Sequence, residues 1–231
     1  KKLEMANSKP KVKRRFHTAN VAVIGLGRFG SALATELVKS GHQVLGIDSD
    51  ERIVQHLAST LTHVVSADTT DEENLRELGI ADMDSAVVAI GADLEASILT
   101  ASLLLQLGVK KVWAKANSAS HGRILTQIGV HEVIFPEYEM GRRVAHQVSG
   151  ESLDYVHIDE DFVMVKTYVP EMFEDMPLYE AKIRATYSVT VVALNDGSGY
   201  KPAFPETVLR KGNTIVVAGP KGPLDQFCQL D

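Results

Sequence analysis

The apolar positions of this 231-residue chain follow two rhythms that change over near Gly150. Before it, short apolar runs alternate with stretches whose apolar residues fall at helical spacing. The runs are Val21-Ala22-Val23-Ile24, Val44-Leu45-Gly46-Ile47, Val64-Val65, Ala86-Val87-Val88-Ala89-Ile90, Val112-Trp113-Ala114 and Val133-Ile134-Phe135. Continuous apolar strands separated by helices predict six parallel strands covered on both faces. Past Gly150 the pattern alternates, at Val156-His157-Ile158 and Val163–Val169. A short helix near Leu178–Ile183, a strand at Val189–Leu194, a turn at Asn195–Gly199, an extended piece at 202–205 and a strand at Thr214–Ala218 complete a small α+β domain.

One helical segment breaks the amphipathic rule. Between Asp93 and Leu107 the residues Leu94, Ala96, Ile98, Leu99, Ala101, Leu103, Leu104, Leu105 and Leu107 leave little polar face. The segment is too short to span a bilayer, so it is either sandwiched inside its domain or part of a subunit interface. The interface is the better reading, because helices flanking an α/β sheet keep one wet face.

Chemistry enters at Gly25-Leu26-Gly27-Arg28-Phe29-Gly30, between the first apolar run and the first helical pattern. The first glycine permits a tight turn, the second a close approach of phosphate to backbone, and the third close packing of helix on sheet. The helix N-terminus then offers free N–H groups to an anion. The second apolar run ends at Asp48, 18 residues past Gly30, where a carboxylate accepts hydrogen bonds from ribose hydroxyls and repels a 2′-phosphate. The expected fold class is therefore α/β: a Rossmann-like, doubly wound parallel sheet over 20–149, then the α+β domain over 153–231. Ligands in such sheets sit beyond the carboxyl ends of the strands, so Asp48, Asp68, Gly91, Lys115 and Glu137 should share one rim. Ser49 and Asp50 also suit helix capping, Thr70 with Glu73 reads as a capping box, and Asp71-Glu72-Glu73 complements a helix dipole. That leaves Asp48 and Asp68 as the acids to assign to a ligand. No histidine pair has metal-ligand i,i+4 spacing.

Composition adjusts this picture in three places. Cys228 is the only cysteine, which excludes an intrachain disulfide and points to a reducing compartment. No apolar run is long enough to span a bilayer, so a cytoplasmic protein is expected. Residues 1–19 carry seven Lys/Arg and one Glu, while the whole chain is −6. Such a leader is expected to be solvated and disordered; contact with an anionic surface is the less favoured reading, and nucleic acid is not an expected partner.

Val23–Gly30, Val88-Ala89-Ile90-Gly91-Ala92, Trp113-Ala114-Lys115-Ala116 and Phe135-Pro136-Glu137 with Met140-Gly141 resemble the regulatory subunits of Ktr-type potassium uptake systems, of the Trk/RCK group. The C-terminal segments Ile183–Tyr187 and Pro205–Gly212 are similar to that family's C-terminal lobe, and the likeness runs over about 20–230. It implies a non-enzymatic gating ring: a homo-octamer of four dimers that docks on a membrane-embedded potassium-translocating subunit and changes shape between ATP and ADP. The nucleotide-site candidates are Gly25, Gly27, Arg28, Phe29, Gly30, Asp48, Ser49, Asp68, Thr69, Gly91, Ala92, Lys115 and Glu137. Arg28 can reach a terminal phosphate, its own or a neighbour's, that ADP lacks. By the same resemblance Glu137 holds a cation near the phosphates, for which a carboxylate suits Mg²⁺ or Ca²⁺. Some relatives bind cyclic di-AMP between C-terminal lobes, and Arg184 lies in the matching segment.

Two rival readings share the fold: a small NAD-dependent oxidoreductase and an NAD-binding redox-sensing regulator. Fold does not decide between them. Against the oxidoreductase, few residues remain for a substrate domain, and neither a Tyr-x-x-x-Lys pair nor a His/Asp proton relay is present.

Overall fold

In the computed structural model, which describes residues 18–150 and 152–230, β1 (Asn20–Ile24) lies inside a six-stranded parallel sheet. Its neighbours are β2 (Gln43–Asp48) and β4 (Ser85–Val88), and the order across the sheet is β3-β2-β1-β4-β5-β6. The outer strands are β3 (His63–Ser66), β5 (Val112–Lys115) and β6 (Glu132–Ile134). Alternate residues of β1 face opposite cores, as a strand buried on both sides requires. Val21 and Val23 pack with Leu26, Ala34, Leu57 and Leu61, from α1 (Arg28–Lys39), α2 (Glu51–Leu57) and their loops. Ala22 and Ile24 pack with Leu75, Ala101, Leu104 and Leu125, from α3 (Glu72–Glu77), α4 (Leu94–Gln106) and α5 (Ala119–Gln127). The doubly wound α/β sheet expected from the apolar runs is thus the observed one.

The chain divides into two compact units between Phe135 and Pro136, before the change of apolar rhythm. Helix α6 (Pro136–Val148) groups with the second unit because its side chains engage β7 (Asp154–His157). It buries no residue of its own. Arg143 instead donates twice to the Asp154 carboxylate, at 2.7 and 2.6 Å, and holds that carboxyl below its usual range. His146 stacks on Tyr155 at 3.8 Å, and Arg142 Nη2 meets His157 Nε2 at 2.9 Å.

The second unit is built on an antiparallel sheet, ordered β11-β10-β13-β8-β7. Its remaining elements are β8 (Phe162–Tyr168), β9 (Met176–Pro177), α7 (Leu178–Ala181), α8 (Ile183–Tyr187), β10 (Thr190–Asn195), β11 (Tyr200–Pro202), β12 (Val208–Leu209), β13 (Thr214–Pro220) and α9 (Lys221–Phe227). Strand β12 pairs with β9 in a separate two-stranded sheet. Val163, Val165, Ile215 and Val217 pack under Leu224 and Phe227 of α9. The single helix expected near 178–183 is two, broken at Lys182 with φ 48°. Helix α9 is not foreseen because Gly222 and Pro223 interrupt the pattern; Pro223 is tolerated there because it sits in the first turn, whose N–H groups have no intrahelical acceptor. The basic leader lies, up to residue 17, outside the described residues.

His121 of α5 is 1% exposed. Its Nδ1 accepts the Asn117 N–H at 3.3 Å, while its buried Nε2 has no partner. Burial lowers its pKa from the ordinary value. A base whose native pKa is depressed stabilises the fold fully above its unfolded value of about 6.5, and the contribution is lost as pH falls through the native one. We predict that the melting temperature falls between about pH 7 and 5, and that His121→Asn, which cannot titrate, shows a smaller fall; equal slopes would remove His121 from the account.

Candidate functional site

The strand order reverses between β1 and β4, and beyond their carboxyl ends lies a cleft of about 330 Å³. Such a switch point is where open α/β sheets take ligands, because the loops after the two strands diverge to opposite faces. The lining includes Gly25, Gly27, Asp48, Ser49, Asp68, Thr69, Gly91 and Ala92, together with Ile24, Ile47, Asp93 and Ala96.

The three glycines of the loop serve different physical purposes. Gly25 has φ 87°, which disfavours any other residue, and a Cβ there would lie 2.9 Å from the Ile90 nitrogen. A Cβ on Gly30 would lie 1.8 Å from the Gly25 carbonyl oxygen, so α1 could not pack where it does. Gly27 meets nothing within 4 Å, so the fold itself does not require a glycine there. It is the N-cap of α1 and provides no side-chain cap, which leaves first-turn amides free for an anion.

Asp48 ends β2 and ties this loop to the second strand at the cleft wall. Its Oδ2 accepts the Leu26 N–H at 2.6 Å and its Oδ1 the Asp50 N–H at 2.9 Å. A carboxylate has about four lone-pair sites, so two hydroxyl donors can still be accommodated. Asp68 is turned toward its own backbone: Thr70 donates to Oδ1 from N–H at 2.9 Å and from its hydroxyl at 2.7 Å, which lowers the carboxyl's pKa. The capping box expected from Thr70 and Glu73 is therefore absent. Asp71 caps α3 instead, accepting the Glu73 N–H at 2.9 Å, because a carboxylate one residue on competes better for that amide than a hydroxyl already bound to Asp68. Thr69 is buried in the cleft wall, where its hydroxyl pairs with that of Thr100 at 2.9 Å.

Family models match both parts of the chain, the TrkA-N domain over 21–136 and the TrkA-C domain over 162–230. The chain belongs to the Ktr/TrkA family. It is 34% identical over 215 residues to Ktr system potassium uptake protein A of Bacillus subtilis (strain 168), covering 92% of this chain and 97% of that one. It is 36% identical over 205 residues to the protein of the same name from Vibrio alginolyticus, covering 88% and 93%. In fold it resembles the GsuK RCK domain, with a TM-score of 0.66 at 17% identity over 94% of this chain and 48% of that one. The GsuK channel bound to NAD gives 0.67 at 18% over 91% and 39%, so this chain spans less than half of either GsuK chain.

The remaining candidates of this Ktr/TrkA chain lie outside the cleft lining. Lys115, at the end of β5 and 8% exposed, has its Nζ 3.4 Å from where a Cβ on Gly91 would be, and 5.9 Å from the centre of the Phe29 ring. Arg28 is exposed and lines a separate groove between α1 and α2. Glu137 is in α6, within the second unit. Two contributors escape sequence reasoning: the Leu26 amide, since backbone donors leave no sequence signal, and Asn117, whose side-chain amide donates to the Gly91 carbonyl. Among the described residues no group of three or more His, Cys, Asp or Glu could hold a metal ion, and no helix is long and apolar enough to cross a membrane.

Proposed function

We propose that the chain is a nucleotide-switched regulatory subunit of potassium uptake. It binds ATP and ADP in the β1/β4 cleft, assembles as an octamer, and acts on a membrane-embedded potassium-translocating subunit from the cytoplasmic side. The observation that carries this reading is the cleft itself: uncapped α1 amides beside Asp48, in a chain aligned nearly end to end with potassium uptake proteins. NAD is the alternative occupant, since the GsuK channel of similar fold is described as bound to NAD. No catalytic role is assigned.

Assembly is supported by α4. Its sheet-facing residues include Ser97 and Thr100, while Leu94 and Leu99 are 50% and 44% exposed. Ala101 and Leu104 are buried as well, so the leucines left outside are surplus to the core and suit a helix covered by a second copy. Arg28 is exposed outside the cleft lining, which supports reading it as the group that reaches a terminal phosphate, its own or a neighbouring copy's. Among the described residues there is no complete metal cage, but Mg²⁺ is commonly held by one or two carboxylates plus phosphate oxygens, and Glu137 can provide such a carboxylate. Arg184 is exposed on α8 and available to a cyclic dinucleotide at the C-terminal lobe.

Charge-assisted contacts of this kind contribute about 1.5–3 kcal/mol each, and a ligand shifts a two-state assembly only through such differential contact. Arg28→Ala should leave ADP binding nearly intact and narrow the gap between ATP and ADP. Glu137→Gln should abolish the extra stabilisation that Mg²⁺ or Ca²⁺ gives the ATP form. Thermal-shift curves with each nucleotide, with and without the ion, test both; variants that discriminate as the parent does would refute the switch. The function is tested by potassium flux into vesicles carrying the membrane subunit and this chain. Flux should differ between ATP and ADP, and equal flux, or NADH turnover by the chain with a hydroxy acid, would count against the proposal.

A further inference from the structure

Asn117 is an exposed residue just past β5, and its side-chain amide donates to the carbonyl of Gly91, just past β4. The bond crosses from one strand's exit loop to the next. Its origin is fixed: the Asn117 N–H donates to buried His121, and Ser118 caps α5 by accepting the His121 N–H at 3.1 Å. What it holds is the cleft's second wall, Gly91-Ala92-Asp93, which continues into the N-cap of α4, where Asp93 accepts the Ala96 N–H at 2.9 Å.

The strand order gives that wall a specific place along a bound nucleotide. Across the rim run Asp68 and Thr69 after β3, Asp48 at the end of β2, the glycine loop after β1, Gly91 after β4, and Lys115 with Asn117 at β5. Adjacent strands are about 4.8 Å apart, so this row is as long as an extended nucleotide. With ribose on Asp48 and the first phosphate on the α1 amides, whatever lies beyond that phosphate must extend toward Gly91 and Lys115.

We infer that Asn117 is a positioning residue for this distal subsite: by clamping the Gly91 carbonyl it sets affinity for the part of the ligand beyond the first phosphate, further phosphates or a second nucleoside. The inference rests on the nucleotide reading of the cleft. It separates from a merely structural role because AMP does not reach the distal wall. A structural defect would weaken AMP and ATP alike.

The test is calorimetric titration of AMP, ADP, ATP and NAD into the full chain, into Asn117→Ala, and into Asn117→Asp, which keeps the shape but turns the donor into a second acceptor facing the Gly91 carbonyl. Loss of one hydrogen bond predicts about fivefold weaker ATP and NAD binding, with AMP within about twofold of the parent. Asn117→Asp should lose at least as much as Asn117→Ala, and melting temperatures should stay at the parental value. A parallel loss for AMP and ATP, or none for either, overturns the inference while leaving the cleft's occupant intact. A parent that binds none of the four overturns the nucleotide reading itself.

Discussion

Gly30→Ala is expected to abolish adenine-nucleotide binding and to lower the stability of the nucleotide unit, whereas Gly27→Ala should abolish binding alone. The added methyl at Gly30 would lie 1.8 Å from the Gly25 carbonyl oxygen and 3.2 Å from the Ala89 Cβ. Both obstacles belong to the packed loop and strand, so α1 must shift away from the sheet. Overpacking of this kind costs about 1–3 kcal/mol, and the shift also displaces the amides that face the anion. At Gly27 nothing lies within 4 Å, so the free protein accommodates a methyl there at little cost. Only a phosphate on the α1 amides would collide with it. Melting curves and ATP titrations on the two variants separate the cases, and parental affinity in Gly27→Ala would mean that the loop is not a phosphate cradle.

The free protein should be an assembly, an octamer by light scattering at micromolar concentration, and Leu99→Glu should break it into smaller species. Leu99 is 44% exposed on a helix whose buried face already carries Ser97 and Thr100, so its apolar surface has no use within one chain's described fold. Placing a charge at a desolvated hot spot in the centre of an interface costs about 2 kcal/mol or more, which is about thirtyfold in a dissociation constant. The substitution lies on the outer face of α4 and should leave the melting of the nucleotide unit nearly unchanged. A monodisperse parent monomer, with or without nucleotide, would contradict the proposed ring.

The first unit was legible because its physics is periodic. The inner strands β1, β4 and β5 are largely buried and so read as apolar runs, and runs end close to the rim residues assigned from them, Asp48 after Ile47 and Gly91 after Ile90. The glycine loop was legible because Gly25 and Gly30 are demanded by backbone geometry that leaves no alternative residue. Side-chain direction was not legible. Asp68 and Asp71 differ in role only because the Thr70 hydroxyl folds back onto the first, and spacing cannot reveal that. Nor could the sequence show that Asp48 would hold the Leu26 amide as well as face the cleft. In the second unit, α9 was hidden by Gly222 and Pro223; the helix α6 was legible, but its grouping with this unit was not, because its attachment to β7 is made of Arg143, His146 and Arg142 rather than of apolar side chains.

The proposed switch depends most on the occupant of the β1/β4 cleft, which calorimetric titration of ATP and ADP into the parent chain and into Asp48→Ala tests directly. One nucleotide per chain should bind the parent, and Asp48→Ala should lose about 1.5–3 kcal/mol for both nucleotides, the range for hydrogen bonds to a charged group. Unchanged affinity in Asp48→Ala, or no saturable binding of either nucleotide by the parent, would contradict the account.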